Sequence, residues 1–225
     1  MLGDGDQAGL SQSARITRDA SSTAVDNRPV TDQRALPGCL IVTGVPGAGK
    51  TTTTRLVARR LRRAARIDGD DVAMMIVSGN VGPVSEPADE AERQLHLRAR
   101  NICSLANNFH AAGFAPIVDH VIPDRAVLQL MIDNLQPRPV MLVLLAPPLS
   151  VCERRNVTRD PQEQVDYDFS DLYRSMHAEF SGVGWTVDTS HIPPDVVADA
   201  ILEQASQRAG VAGRVAREPG WFSRR

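Results

Sequence analysis

GVPGAGKT, residues 44–51, decides the fold of this chain. The stretch matches the pattern G-x-x-x-x-G-K-[ST] at every fixed position, and its glycines allow backbone N–H groups to turn toward phosphate oxygens. The apolar run CLIVT (39–43) precedes it, and a helical pattern begins at Lys50. Because strand, loop and helix follow one another as the motif requires, we interpret residues 44–51 as a phosphate-binding loop.

The side chains of this loop predict how ATP would be held. Lys50 is expected to reach the β- and γ-phosphates, and the Thr51 hydroxyl is expected to coordinate Mg²⁺. Lys50 is the only lysine of the chain, so the guanine-reading motif Asn-Lys-x-Asp is absent and a GTPase is excluded. A small ATP-dependent kinase is therefore favoured. The predicted nucleotide contacts in and beside the loop are Gly44, Pro46, Gly47, Ala48, Gly49, Lys50, Thr51 and Thr52.

Working outward from the loop, short apolar runs alternate with helical patterns. Most of the runs are continuous, as in strands that are covered on both faces. The alternation predicts one α/β domain, a three-layer sandwich around a parallel sheet of five strands. The predicted strands are 39–43, 65–67, 115–118, 140–145 and 185–187, and the predicted helices are 50–63, 71–78, 89–112, 125–135, 149–156, 168–180 and 194–209.

The two ends of the chain differ from its centre. Residues 1–36 are rich in Ser, Thr, Asp, Gln and Gly and are predicted to be a flexible leader, residues 37–209 are the predicted P-loop domain, and residues 210–225 are a C-terminal tail. We find neither a signal peptide nor an apolar run of about 20 residues, and the three cysteines are far apart, so we expect a cytoplasmic protein without a membrane partner. A net charge of −2 does not suit a general nucleic-acid binder.

Carboxylates follow two of the predicted strands, where a parallel sheet faces its ligand. Asp70 is predicted to accept the proton of a substrate hydroxyl, with Asp68 as the alternative base, and Asp71 is expected to cap the next helix. Asp119 is predicted to bind Mg²⁺ through water, or else to be a buried structural carboxylate. His120 follows Asp119, and we interpret it either as a substrate contact or as a structural residue. We expect Asp68, Asp70 and Asp119 all to lie beside the substrate.

Basic residues after the fourth strand predict a lid at about 152–167. Arg155 and Arg159 are four residues apart, so they are expected to share a helix face, close over ATP and neutralise charge in the transition state. The alternative is a solvated basic helix end. Arg98 and Asn101, on one face of the longest predicted helix, are candidates for contacts with the acceptor, or else surface polar residues.

Five patches of the chain resemble the chloramphenicol phosphotransferase-like branch of P-loop kinases and, more loosely, adenylylsulfate and gluconate kinases. They are GVPGAGKT (44–51), IDGDDVAMMI (67–76), PIVDHVI (116–122), RRNVTRD (154–160) and VDTSH (187–191). The resemblance implies a nucleotide-kinase-like sheet in the strand order 2-3-1-4-5. It also implies transfer of the ATP γ-phosphate to a hydroxyl group, with Asp70 as the base and Arg155 and Arg159 as lid arginines.

Two departures from the resemblance concern the substrate. The phosphate loop lacks the serine of the antibiotic kinase, and the segment 79–92, which lies where such kinases bind their acceptor, matches no pattern that we can place. The first hypothesis is therefore a small-molecule O-kinase, monomeric or homodimeric, that modifies an antibiotic or natural product. The alternatives are a kinase of a nucleotide or sugar-acid metabolite, a partner-regulated ATPase, and a toxin-like kinase of a cell-wall nucleotide sugar.

Overall fold

The computed structural model describes residues 35–211. The predicted leader (1–36) lies outside the described residues apart from residues 35–36, and the predicted tail (210–225) lies outside them apart from residues 210–211.

The five predicted strands form one parallel sheet in the order β2-β3-β1-β4-β5. This confirms the order that the family resemblance implied. The strands are β1 (Cys39–Thr43), β2 (Ala64–Asp68), β3 (Ala115–Asp119), β4 (Val140–Leu145) and β5 (Trp185–Val187). Every residue of β1 and β4 is buried, which explains their continuous apolar sequences.

A sixth strand, β6 (Gly210–Val211), extends the sheet where we predicted only a tail. It pairs antiparallel with residues 140–141 of β4, below the segment 143–145 that pairs with β5. Two residues are too few to produce a periodic pattern, so the sequence carries no signal for this strand.

Seven helices are found within residues 35–211, together with a 3-10 turn at Pro161–Glu163. Helix α1 packs against α7, and α3 against α4. Helix α1 ends before the predicted position because the Arg63 carbonyl accepts a hydrogen bond from the Ala115 N–H at 3.0 Å, which directs the chain into β2. The helices are α1 (Lys50–Arg59), α2 (Gly69–Met74), α3 (Ala88–Ala111), α4 (Arg125–Asn134), α5 (Leu149–Val157), α6 (Ser170–Glu179) and α7 (Pro194–Arg208).

Candidate active site

The phosphate loop connects β1 to the N-terminus of α1. Gly47 has a φ of 77°, and a Cβ built there would lie 2.2 Å from the Cys152 carbonyl oxygen of α5, so both the turn and the contact with α5 require glycine. Within residues 35–211 no side chain caps the first turn of α1. The N–H groups of this turn and the helix dipole are therefore directed toward the space where a phosphate would bind.

Lys50 lies at the base of this loop. Its Nζ donates a hydrogen bond to the Val45 carbonyl oxygen at 3.2 Å. Burial lowers the pKa of Lys50, against the attraction of Asp119 and Asp70. The ammonium group is thus near the carboxylates of Asp119, at the end of β3, and Asp70, in the first turn of α2.

Arg66 organises the carboxylates after β2 and β3. Its Nη2 forms ion pairs with Asp68 and, at 2.7 Å, with Oδ2 of Asp119. Its Nε donates to the Thr54 hydroxyl at 2.9 Å, and that hydroxyl also lies 3.2 Å from Oδ2 of Asp119. Asp119 is 3% exposed, so this network fixes a buried charge at the carboxyl end of β3.

Asp68 and Asp70 have different settings although they are two residues apart. Oδ1 of Asp68 accepts a hydrogen bond from the Asp70 N–H at 2.9 Å and caps α2. Asp68 is therefore the cap, and the prediction that Asp71 fills this role was wrong because α2 begins at Gly69 rather than at Asp71. Asp70 is exposed and lines the cleft described below.

The residue between these two aspartates is Gly69, and the His120 ring packs against it. A Cβ built at Gly69 would be 2.3 Å from Nδ1 of His120 and 3.2 Å from the Asp119 carbonyl oxygen. The ring is buried, and its Nε2 has no hydrogen-bond partner within residues 35–211. His120 thus sets the distance between α2 and β3, and with it the position of Asp70.

Gly69→Ala should destabilise the protein by about 1–3 kcal/mol, the usual cost of forcing a methyl group into a packed site. We expect the midpoint of urea unfolding to fall, whereas Gly210→Ala, where a Cβ has no neighbour within 4 Å, should leave it unchanged. Adding His120→Ala should restore part of the loss, because it removes the colliding ring. If the loss of stability in the double variant equalled the sum of the losses in Gly69→Ala and His120→Ala, the contact between the two residues would be contradicted.

His120 should make folding sensitive to mild acid. Burial, with the nearby charges of Arg98 and Lys50, lowers the pKa of His120 to about 3. The unfolded chain takes up this proton below about pH 6.5, so stability falls as the pH drops from there toward 3, by about 1.4 kcal/mol per pH unit. Between pH 6.5 and 5 this amounts to about 2 kcal/mol. The free energy of unfolding, measured with urea at several pH values without nucleotide or metal, should depend on pH in this way in the wild type. In His120→Asn its slope against pH should be smaller by the contribution of one bound proton. Identical slopes in the two proteins would contradict the prediction.

A cleft opens beside Lys50 and Asp70. Lys50, Thr51, Asp70, Arg98, Asp119 and Arg159 supply its polar groups near the phosphate loop. The rest of the wall is formed by the carboxylates Glu163 and Asp168 and, for the most part, by apolar residues: Pro46, Pro83, Val84, Leu95, Val121, Pro123, Val165, Tyr167 and Leu172.

Two buried amide side chains hold the loops that carry this apolar wall. Gln94 of α3 accepts a hydrogen bond from the Val81 N–H at 2.8 Å and donates to the Gly79 carbonyl at 2.7 Å. Asn156 of α5 binds both backbone groups of Val165, at 3.2 and 2.9 Å. The segment 79–84, which sequence patterns did not explain, and the lid loop near Val165 are therefore fastened to helices, so the cleft is formed without a ligand.

Arg155 and Arg159 do not share a helix face, contrary to our prediction. Helix α5 ends at Val157, so Arg159 lies beyond it and the 3.6-residue period no longer applies. Arg159 lines the cleft and donates to the Glu163 carbonyl at 3.3 Å. Arg155 instead donates to the Thr189 carbonyl at 2.8 Å, and the Thr189 hydroxyl donates to the Ala48 carbonyl at 3.2 Å.

Arg155 lines a second, smaller cavity on the far side of the phosphate loop. Its other wall residues are Ala48, Gly49, Thr52, Thr53, Thr189, Ile192, Pro194 and Val197. The two arginines therefore line two different cavities, Arg155 the one beside the loop after β5 and Arg159 the cleft beside Lys50.

The remaining predicted site residues divide into two groups. Arg98 lines the cleft, whereas Asn101, one turn along α3, is exposed and does not line it. Sequence reasoning missed the residues that hold the site together, which are Thr54, Arg66, Gln94, Asn156 and Thr189. The one available signal was Arg66, a charged residue inside an otherwise apolar strand. Within residues 35–211, no helix is both long enough and apolar enough to cross a membrane.

The parallel sheet in this order, with a phosphate loop after β1 and carboxylates after β2 and β3, defines a P-loop kinase-like protein. A family model described as "AAA domain" matches residues 40–180, and the chain belongs to this family.

Comparison with known proteins finds kinases among the similar chains. The chain is 26% identical over 200 residues to the bifunctional enzyme CysN/CysC of Rhodopirellula baltica; the match covers 84% of this chain and 29% of that protein. The chain therefore spans less than a third of the length of this relative.

Two solved structures are similar in fold. A sugar kinase from Janibacter sp. HTCC2649 has a TM-score of 0.58 and 19% identity, covering 81% of this chain and 100% of that one. The tunicamycin resistance protein of Deinococcus radiodurans has a TM-score of 0.53 and 20% identity, covering 78% and 99%. At these identities, the two structures support the fold and not a substrate.

Proposed function

We propose that this protein transfers the γ-phosphoryl group of Mg-ATP to a hydroxyl group of a small molecule. The observation that carries the proposal is that Lys50 and Thr51 of the phosphate loop line the same preformed cleft as the exposed carboxylate Asp70. A nucleotide bound on the loop would direct its terminal phosphate into this cleft, which also presents apolar walls and Asp70 to an acceptor. In-line transfer needs this arrangement of donor phosphate, base and acceptor.

Each cleft residue has a role in this proposal. Asp70 accepts the proton of the acceptor hydroxyl as its oxygen bonds to the γ-phosphorus and the bond to the ADP oxygen breaks. Asp70 suits this role better than Asp68, because the Asp68 carboxylate already caps α2 and pairs with Arg66. Lys50 and Arg159 stabilise the charge on the transferred group, and Arg155 holds the nucleoside end of ATP.

The residues present also fit a magnesium ion that binds together with ATP. Mg²⁺ prefers oxygen ligands and is usually bound by one or two carboxylates, substrate phosphates and water. Thr51 would hold it directly and Asp119 through water, with Arg66 fixing the Asp119 carboxylate. When bound, the ion neutralises charge on the β- and γ-phosphates.

The sequence patches shared with chloramphenicol phosphotransferase-like kinases favour a hydroxylated antibiotic or natural product as the acceptor, and hence a role in resistance or biosynthesis. Sugar-acid and nucleotide metabolites are the alternative acceptors. We place the reaction in the cytoplasm, where ATP is available and the three buried cysteines, none of them in a disulfide, stay reduced.

A phosphorylation screen tests this proposal. The full chain is incubated with Mg-ATP and hydroxylated antibiotics, sugar acids and nucleosides, and mass spectrometry detects a gain of about 80 Da, the mass of one transferred phosphoryl group. We expect a product with the wild type and with Arg100→Gln, an exposed change on α3, and none with Lys50→Met. ATP hydrolysis without any phosphorylated acceptor, rising on addition of a protein partner, would favour the regulated ATPase instead.

A further inference from the structure

Arg98 is a cation of the cleft with an unsatisfied donor, although the charge of Asp70 lies close enough to attract it. It projects from α3 beside Leu95, and both residues line the cleft. Its Nε is buried and has no hydrogen-bond partner within residues 35–211. Buried donors of charged groups are almost always satisfied, so one without a partner at a cleft wall indicates a group that arrives with the ligand.

The other cations around the cleft already have partners or a role with the nucleotide. Asp68 and Asp119 are paired with Arg66, and Arg159 is bonded to the Glu163 carbonyl. Lys50 lies in the phosphate loop, where the nucleotide uses its charge. Arg98 is therefore the cation left for the acceptor rather than for ATP.

The part of the wall that the segment 79–84 and Val165 form is apolar and fixed, whereas Glu163 and Asp168 add carboxylates near the lid loop. Pro83 and Val84 belong to the segment that Gln94 fastens to α3, and Val165 belongs to the loop that Asn156 fastens to α5. Such a wall suits a hydrocarbon or aromatic body, because burying the many hydroxyls of a polyol there would leave them unpaired.

We propose, building on the phosphotransferase function above, that the acceptor is a hydroxy acid with an apolar body. Its carboxylate is bound by Arg98, its ring or chain lies between Val84 and Val165, and its hydroxyl faces Asp70. A guanidinium binds a carboxylate through paired, charge-assisted hydrogen bonds, which gives orientation as well as affinity. Neutral antibiotics and nucleosides lack the group that Arg98 requires.

Matched pairs of acid and amide test the carboxylate directly. The probes are 3-phenyllactate with 3-phenyllactamide, and 4-(hydroxymethyl)benzoate with its amide; within each pair only the carboxyl group changes, from an anionic acceptor to a neutral amide. Their binding to the full chain with Mg-ADP is measured by ligand-observed NMR. We expect each acid to bind about 10- to 100-fold more tightly than its amide, the usual value of a charge-assisted hydrogen bond.

The variants separate recognition from structure. Arg98→Gln should abolish the preference for the acid and leave amide binding unchanged, whereas Arg100→Gln, exposed on the same helix, should retain the preference. Equal binding of acid and amide, absence of binding by all four probes, or a preference that survives in Arg98→Gln would overturn the inference. A role of Arg98 in positioning Asp70 would instead lower turnover of every acceptor equally, which also overturns it.

Turnover of the same probes distinguishes this inference from the proposed function. Acid-selective binding that depends on Arg98, without any phosphorylated product from this panel or the wider screen, would contradict the phosphotransferase while supporting the carboxylate site. Phosphorylation of neutral acceptors at the same kcat/KM as acids would support the phosphotransferase and overturn the carboxylate site.

Discussion

Replacing Lys50 with methionine should lower the rate of phosphoryl transfer by about 10²- to 10³-fold, the usual cost of removing one preorganised group that stabilises transition-state charge. The side chain keeps its length and apolar stem but loses the ammonium group that lies near Asp119 and Asp70. Lys50→Arg should also lose most activity, because a planar guanidinium does not fit the space under the loop that one Nζ occupies. Single-turnover phosphoryl transfer is the measurement.

Arg55→Met is the matched control, because it removes an exposed cation from the same helix. A second test uses the fact that Lys50 is the only lysine of the chain. An acyl-phosphate derivative of ATP, which acylates lysines near the phosphates, should label one internal peptide, and excess ATP should prevent this. Labelling that ATP does not reduce, or full activity of Lys50→Met, would contradict the assignment.

Asp70→Asn should lower kcat by about 10²- to 10⁴-fold while leaving ATP affinity unchanged, because a general base acts on the acceptor and not on the nucleotide. The amide keeps the size of the carboxylate but cannot accept the proton. Rapid-quench measurement of product separates this chemical step from product release.

The neighbouring aspartates serve as controls for this result. Asp71→Asn, an exposed change at the next position, should leave kcat near the wild-type value. Asp68→Asn should weaken the cap of α2 and the ion pair with Arg66, so we expect lower stability and a smaller loss of kcat. If Asp68→Asn abolished turnover and Asp70→Asn did not, the roles of the two carboxylates would be reversed.

Much of the fold follows from local sequence. A loop with fixed glycines and a lysine, placed between an apolar strand and a helix, is compatible with few folds other than the P-loop fold. The buried strands β1 and β4 can be predicted because they are continuous apolar runs. The carboxylates at strand ends were found for a similar reason, since parallel strands bring their carboxyl ends to one edge. The strand order itself required the family resemblance.

The supporting side chains of the site could not be predicted, because their roles come from residues distant in the chain. Gln94 and Asn156 resemble solvent-facing amides of any helix until the loops they bind are in place. Arg155 and Arg159 were grouped wrongly because the end of α5 at Val157 is not marked by a Gly or Pro. Helix ends are the least certain feature of a sequence pattern, and here one such end separates two functional arginines.

The fate of the γ-phosphoryl group shows whether the protein is a small-molecule kinase. Purified protein is incubated with γ-labelled Mg-ATP and a pool of small metabolites and hydroxylated natural products, and the labelled species are separated by chromatography. We expect label in an organic phosphate, formed one-to-one with ADP and lost in both Lys50→Met and Asp70→Asn. Label found only in inorganic phosphate, released at a rate that Asp70→Asn does not change, would contradict a small-molecule kinase.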